Sequence, residues 1–280
     1  MKKNILIPID FSENSWNAIS YALSFFENVN CNFHLLHVVN SERLMRVNIP
    51  LYEPEEIVVR KTSQKNKEQM NSFLKRIKKI THNKNHLFFT TIEYGLFIDV
   101  VRKQVIDRNI NYIVMGTKGA SGLKEKIIGT NTGDVITKVK CSLLVIPEKA
   151  SYTRINEIAF PTDYNIYYKN KVLSTITEIL TLTKSSLRVL HVSKKEQDLT
   201  DLQKNNKYFL EDVLQNQKYS FHFLSNVDLE TAVQCFVESR DIDMITMVAK
   251  NLNFFQRILF QPTVEKISYH ISIPFLVLHE

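Results

Sequence analysis

Ile5-Leu6-Ile7-Pro8-Ile9-Asp10 is an apolar run closed by Pro-x-Asp, and Ile158-Ala159-Phe160-Pro161-Thr162-Asp163 has the same form. Read outward from either stretch, the same order of elements follows. An unbroken apolar run of this length suits a buried strand. After the first copy, Ser12 offers a helix N-cap, and Trp16, Ile19, Leu23 and Phe26 recur at helical spacing. Phe33 to Val39 reads as a second strand, Leu87 to Ile92 as a third, Tyr112 to Met115 as a fourth and Leu143 to Ile146 as a fifth, stopped by Pro147. Between them Ile98, Val101 and Val105 mark one helix, and the residues near Thr132 to Val139 another. Nearly all-apolar strands alternating with helices imply a parallel sheet covered on both faces.

The later strands are echoed too. Leu35-Leu36-His37-Val38 returns as Val189-Leu190-His191-Val192, Ile113-Val114-Met115 as Ile245-Thr246-Met247, and Leu143 to Ile146 as Phe275 to Leu278. The second copy is about 22 residues shorter, a loss that falls after its second strand. The chain is therefore expected to hold two tandem doubly wound α/β domains, residues 1–148 and 154–280. Each is a five-stranded parallel sheet with helices on both faces, and the join lies at Ala150-Ser151-Tyr152-Thr153. A length of 280 residues with 44% hydrophobic and 23% charged side chains suits two such domains.

The net charge of +7 is mostly local, because residues 60–84 carry nine Lys or Arg and one acid, Glu68. Within them Met70, Phe73, Leu74, Ile77 and Ile80 recur at helical spacing, which describes an amphipathic helix with a solvated basic face. The one aromatic there, Phe73, lies on the apolar stripe, so nucleic acid is not the expected partner. Three scattered cysteines, Cys31, Cys141 and Cys235, form no CxxC and suggest reduced thiols in a cytoplasmic protein. The apolar run at the N-terminus is too short for a signal peptide, and no apolar run is long enough to span a membrane. The histidines show no ligand spacing, and no metal site is expected. His37 and His191 read as satisfied residues of buried strands.

Ligands of open α/β sheets bind beyond the carboxyl ends of the strands, where the strand order reverses. Asp10, Val38 with Val39, and Gly116 all fall at such ends in the first copy. Gly116-Thr117-Lys118-Gly119 and Gly129-Thr130 together make a G-x2-G-x9-G-[ST] spacing, and five of the six glycines of the chain lie in this stretch. Glycine permits close backbone approach, free N–H groups in succession make an anion nest, and the helix after Gly129-Thr130 presents its positive end. The spacing is neither a P-loop nor a dinucleotide fingerprint, and it fits a polyphosphate. A purely structural reading stands beside it at each position. Glycines shape turns, Asp10 can cap a strand end, Thr130 can cap a helix, and Lys118 can be a solvated loop charge.

With Pro8-x-Asp10-x-Ser12, Leu36-His37-Val38, Ile113-Val114-Met115-Gly116 and the glycine spacing, the chain resembles the ATP-binding branch of the universal stress protein family, as a tandem pair. The resemblance implies a Rossmann-like domain related to the adenine nucleotide alpha hydrolases. It also implies ATP as ligand, alone or with magnesium. Asp10 and the Val38 backbone would hold the adenine, Gly116 and Gly119 would meet ribose and phosphates, and Gly129-Thr130 the outer phosphates. Pro8, Ile9, Met115, Lys118, Asn131 and Thr132 match positions lining that pocket. Gly95-Leu96-Phe97 departs from the family's Gly-x-Pro before the third helix. The resemblance further implies pairing of Leu143 to Ile146 with Phe275 to Leu278, an internal pseudo-dimer. A homodimer of the whole chain is compatible with it.

In the second copy Gly116, Gly119, Gly129 and Thr130 correspond to Val248, Asn251, Gln261 and Pro262, so no nest is expected there. The apolar loop Leu252-Asn253-Phe254-Phe255 is expected to fill the vacated site or meet a partner. Three functions fit these residues. The first is a stress-response or regulatory module that binds ATP with slow or no hydrolysis, since no general base or arginine finger stands in the signature. The others are an adenylating or phosphoryl-transfer enzyme and a scaffold with vestigial sites.

Overall fold

The computed structural model describes residues 2–40, 55–117, 130–193, 198–249 and 273–280, with side chains of the helix at 55–80 from residue 63 onward. Two compact units are present, one built up to Cys141 and the other over Ser142–Glu280.

The first unit runs β1 (Lys3–Pro8), α1 (Glu13–Phe25), β2 (Cys31–Val39), α2 (Glu55–Ile80), β3 (Leu87–Tyr94), α3 (Phe97–Asp107), β4 (Tyr112–Gly116) and α4 (Thr130–Lys138). Its sheet order is β3-β2-β1-β4, and β1 pairs in parallel with both β2 and β4. The chain thus moves outward from β1 through β2 to β3 and then returns to the other side of β1. That reversal puts the switch point between β1 and β4. α1 packs on β1, β4 and α2, while α3 packs on β1, β2 and α4. Ile5, Leu6 and Ile7 are fully buried, as a strand covered on both faces requires.

The second unit holds β5 (Ser142–Ile146), β6 (Glu157–Pro161), α5 (Asn170–Thr183), β7 (Ser186–Ser193), α6 (Asp201–Leu214), β8 (Tyr219–Ser225), α7 (Leu229–Ser239), β9 (Met244–Val248) and β10 (Phe275–Leu278). Its order is β5-β10-β9-β6-β7-β8, with β6 between β7 and β9 just as β1 lies between β2 and β4. β10 runs parallel to β9 but antiparallel to β5, with Leu276 opposite Leu144. The last strand of the first repeat is therefore grouped with the second unit through this ladder.

The repeat reaches single hydrogen bonds. Asn111 closes the amino ends of β1 and β4, its N–H donating to the Asn4 carbonyl at 2.9 Å and its Oδ1 accepting from the Asn4 N–H at 2.8 Å. Asp243 does the same for β6 and β9, with its N–H on the Glu157 carbonyl at 2.9 Å and its carboxylate accepting from the Glu157 N–H at 3.0 Å.

The basic segment forms α2 as its periodicity predicts, with Met70, Phe73 and Ile77 buried and Lys65, Lys67, Lys75, Lys78 and Lys79 exposed. Arg76 is committed to the fold. Its guanidinium lies 3.9 Å from the Trp16 ring centre and forms a two-pronged ion pair with Glu13 at 3.0 and 3.1 Å. That hydrogen-bonded pair holds the Glu13 carboxyl below the usual range.

Candidate functional site

At the carboxyl end of the first sheet, β2 outruns β1. The β1–β2 register ends at Pro8 opposite Leu36, and one further bond follows, Ile9 N–H to the Leu36 carbonyl at 2.8 Å. Val38 and Val39 then pair only with β3, at Glu93 and Tyr94. In a parallel ladder the peptide groups of successive residues point to opposite sides. The Leu36 carbonyl faces β1 and the Val39 carbonyl takes the Gly95 N–H at 3.1 Å on the β3 side, so the Val38 peptide groups face the crevice beyond β1.

Asp10 leaves this strand end exposed to solvent. Its Oδ1 accepts from the Ser12 N–H at 3.0 Å and the Ser12 hydroxyl at 2.5 Å, while the Ser12 hydroxyl accepts from the Ser15 N–H at 3.2 Å. Asp10 thus shapes the turn into α1, and Ser12 is the predicted N-cap. Pro8 and Ile9 are buried beneath that turn. Between them and α1 stands Phe11, in the left-handed region at φ 63°. A side chain pays about 1–2 kcal/mol for that conformation.

The opposite wall is the end of β4. Met115 is buried and Gly116 closes the strand. A Cβ on Gly116 would sit 3.2 Å from the Asn14 carbonyl oxygen and 3.5 Å from its carbon, so this glycine permits the first turn of α1 to touch β4. The Gly116 carbonyl accepts the Thr132 hydroxyl at 2.8 Å, which ties β4 to the start of α4. Thr132 is buried and spends its hydroxyl on that tie, whereas Thr130 and Asn131 are exposed at the helix start. The N-terminal ends of α1 and α4 thus both lie at the switch point, the arrangement that favours an anion. Lys118, Gly119 and Gly129 lie outside the described residues, as does the loop at Leu252 to Phe255.

Two residues that the sequence reading did not assign to the site complete it. His37 Nδ1 lies 2.9 Å from the Ile9 carbonyl oxygen, and its ring centre is 4.4 Å from that of Phe11. His37 is half-buried at the rim and not in the strand core as expected, because it lies beyond the last rung of the β1–β2 ladder. Phe73 of α2 meets the Phe11 ring edge-on at 5.4 Å, so Phe11 is held by both His37 and α2. The signal was present in the repeats. An aromatic follows both aspartates, Phe11 and Tyr164, and a histidine occupies the same place in both second strands.

The second unit builds the same corner and then fills it. Tyr164 is left-handed at φ 56°, Asp163 Oδ1 accepts from the Asn165 N–H at 3.0 Å, and the Thr162 N–H binds the Leu190 carbonyl at 2.8 Å. His191 Nδ1 lies 3.0 Å from the Thr162 carbonyl oxygen, and its ring stacks on Tyr164 at 5.1 Å. Here, however, Tyr164 and Tyr168 are almost wholly buried. The Tyr168 hydroxyl hydrogen-bonds the Thr162 hydroxyl, which also accepts the Tyr164 N–H at 3.0 Å. From α6, the Gln203 amide donates to the Asp163 carbonyl at 2.8 Å and the Asn206 amide to the Tyr164 carbonyl at 2.7 Å. Burial pushes both phenols well above their usual range and the His191 imidazole below its own, so the plug is neutral. The turn into α1 reaches its N-cap at Ser12, two residues after Asp10, whereas the second unit reaches its cap at Lys169, six residues after Asp163, and Tyr168 lies in that longer turn.

Against known proteins, residues 1–147 match the model of the universal stress protein family. The chain belongs to that family. Two universal stress proteins of Methanocaldococcus jannaschii are similar to it. One is 24% identical over 54% of this chain and 98% of its own length, the other 26% identical over 51% and 81%. Among solved structures, a universal stress protein from Archaeoglobus fulgidus aligns over 99% of this chain and 96% of its own, at 16% identity and a TM-score of 0.66. At that identity the likeness speaks for the fold, a mostly parallel Rossmann-like α/β sheet with helices on both sides. Among the described residues of this universal stress protein, no helix is long and apolar enough to cross a membrane.

Proposed function

We propose that this universal stress protein is a stress-response module that binds one ATP per chain, in the first repeat, and hydrolyses it slowly or not at all. The observation that carries the reading is the contrast between the two switch points. In the first unit Asp10 is exposed after β1, bonded to the Ser12 cap of α1, and the neighbouring strand β4 ends at Gly116 against α1 and the start of α4. In the second, tyrosines and α6 amides occupy the equivalent corner.

In this reading Asp10 and the crevice-facing peptide of Val38 take the adenine edge, whose amino group needs an acceptor. Pro8, Ile9 and Met115 supply the apolar floor. Gly116 and Gly119 approach the ribose and inner phosphates, with Lys118 nearby. Gly129, Thr130 and Asn131 meet the outer phosphates at the start of α4, and Thr132 fixes that helix to β4. Magnesium would accompany the phosphates. Residues 1–148 and 154–280 act as the two domains of an internal pseudo-dimer, a reading that the β5–β10 ladder supports. Pairing of whole chains would extend that assembly. Three cysteines in no disulfide, two of them buried, suit a reducing cytoplasm.

Titration calorimetry with ATP tests the reading. The wild type should bind with a stoichiometry near one, and Gly119→Trp and Gly129→Trp should abolish binding. No heat at millimolar ATP would overturn it. Turnover faster than about one per second would place the protein with ordinary enzymes instead.

A further inference from the structure

We propose that His37 is a positioning residue of the nucleotide site, acting through the Ile9 carbonyl and the Phe11 ring; this rests on the ATP reading above. The β1–β2 ladder stops at the bond from Ile9 N–H to the Leu36 carbonyl. The next residue of β2 is His37, and its imidazole supplies the rung that the backbone no longer makes. A carbonyl only accepts, so the proton is on Nδ1 and His37 donates at 2.9 Å.

The consequence falls on Asp10. On its N-terminal side Ile9 is tied to β2 through both its N–H and its carbonyl. On its C-terminal side Phe11 is held left-handed with its ring between His37, at 4.4 Å, and Phe73, at 5.4 Å. One imidazole therefore contacts both neighbours of Asp10 and leaves the carboxylate exposed where β2 has outrun β1. The geometry is an arrangement and not an accident of one loop, because His191, Thr162 and Tyr164 reproduce it in the second unit at 3.0 and 5.1 Å. There the corner is plugged, so the rung has only the fold to serve. The molecule thus carries its own control. What the rung contributes to folding is common to His37 and His191, and what it contributes to nucleotide binding belongs to His37 alone.

The test uses the full chain as wild type, His37→Leu, His37→Asn and His191→Leu, with ATP titrations and thermal melts of each. Both leucine variants should melt lower by similar amounts. His37→Leu should bind ATP about tenfold more weakly, as expected for one misplaced hydrogen-bonding group. His191→Leu should stay within about twofold of wild type, which is no resolvable change in binding free energy. His37→Asn, whose amide can donate from the position of Nδ1, should recover to within about threefold of wild type. Unchanged affinity in His37→Leu, equal weakening by both leucine variants, or an asparagine variant as weak as the leucine would overturn the positioning role. A wild type that binds no ATP would instead overturn the ATP reading and take this proposal with it.

Discussion

Adding one methyl group to Gly116 should loosen both the fold and the proposed nucleotide site of the first unit. The new Cβ of Gly116→Ala would stand 3.2 Å from the Asn14 carbonyl oxygen, 3.5 Å from its carbonyl carbon and 3.6 Å from its Cβ. Comfortable non-bonded separations are about 3.5–4.0 Å. The nearest obstacles are backbone, so no rotamer change relieves them. Asn14 lies in the first turn of α1, which is fixed by the Trp16 N–H on the Ser12 carbonyl at 3.0 Å and by the Ser12 cap. Either that turn or the end of β4 has to move by a few tenths of an ångström. Overpacking of this size costs about 1 kcal/mol, at the low end of the range for added methylenes. For a unit of this length that lowers the melting temperature by about 3 °C. The movement also reaches the site, because the Gly116 carbonyl anchors Thr132 at the start of α4 and the displaced turn carries Ser12, the partner of Asp10. ATP affinity should fall about tenfold, the equivalent of about 1.4 kcal/mol. Calorimetric melting and ATP titration of the same preparation measure both quantities. An alanine variant that melts and binds like wild type would show that β4 and α1 have room to spare, and the close-approach argument for this glycine would fail.

Three further perturbations test the surrounding architecture. His34 is buried beside Arg108, and burial first, with the guanidinium second, pushes its imidazole down to about 4. Its folded value lies below the unfolded one of about 6.5, so its contribution is complete above pH 6.5 and is lost as the pH falls toward 4, by up to about 3 kcal/mol. Denaturant titrations at pH 7 and pH 5 should show that slope in wild type and a flatter one in His34→Leu. Arg76→Ala removes an exposed pair with Glu13 and a ring contact with Trp16, and it should cost less than about 1 kcal/mol, with the ionic part vanishing in 1 M salt. Tyr168→Ala empties the plug of the second unit and should cost about 3–5 kcal/mol, a range measured for other large aromatic truncations, while leaving ATP affinity in the first unit unchanged.

The five strands of the first copy, their counterparts β6, β7, β9 and β10 and the first helix were legible as apolar runs or helical spacing, whereas β8 and the helices α5 to α7 were not, and the repeat was legible because Pro-x-Asp and Leu-His-Val survive in both halves. α2 was legible through Met70, Phe73 and Ile77, but the sequence gives no sign that Arg76 leaves the basic face to join Trp16 and Glu13. Those partners are 60 or more positions away, and only the fold brings them together. The site was half legible for a similar reason. Gly116 and Asp10 announce themselves by type and position, whereas His37 looked like a core residue because its strand is buried. Its role depends on where β1 stops, which is a property of register and cannot be read from β2 alone.

One chain keeps two such corners, and among the described residues only the second is plugged by buried tyrosines. The rung from histidine to carbonyl, the left-handed aromatic and the carboxylate turn are present in both units, so they cannot by themselves decide whether the corner is open. The decision lies with three neighbours. Tyr168 is carried by a longer turn before α5, where the first unit is already at its helix cap two residues after Asp10. At residue 9 an isoleucine offers no hydroxyl, where Thr162 supplies one to bind Tyr168 and the Tyr164 N–H. On the covering helix, Phe73 touches Phe11 only through its ring, where Gln203 and Asn206 tie α6 to the Asp163 and Tyr164 carbonyls. A hydroxyl network buried with its partners is costly to break, because each group would be left unsatisfied. Removing Tyr168 alone should therefore destabilise the second unit without creating a nucleotide site, since Val248 still stands where Gly116 gives the first unit its close approach. ATP stoichiometry rising from one to two in Tyr168→Ala would refute that reasoning and place the decision in the plug alone.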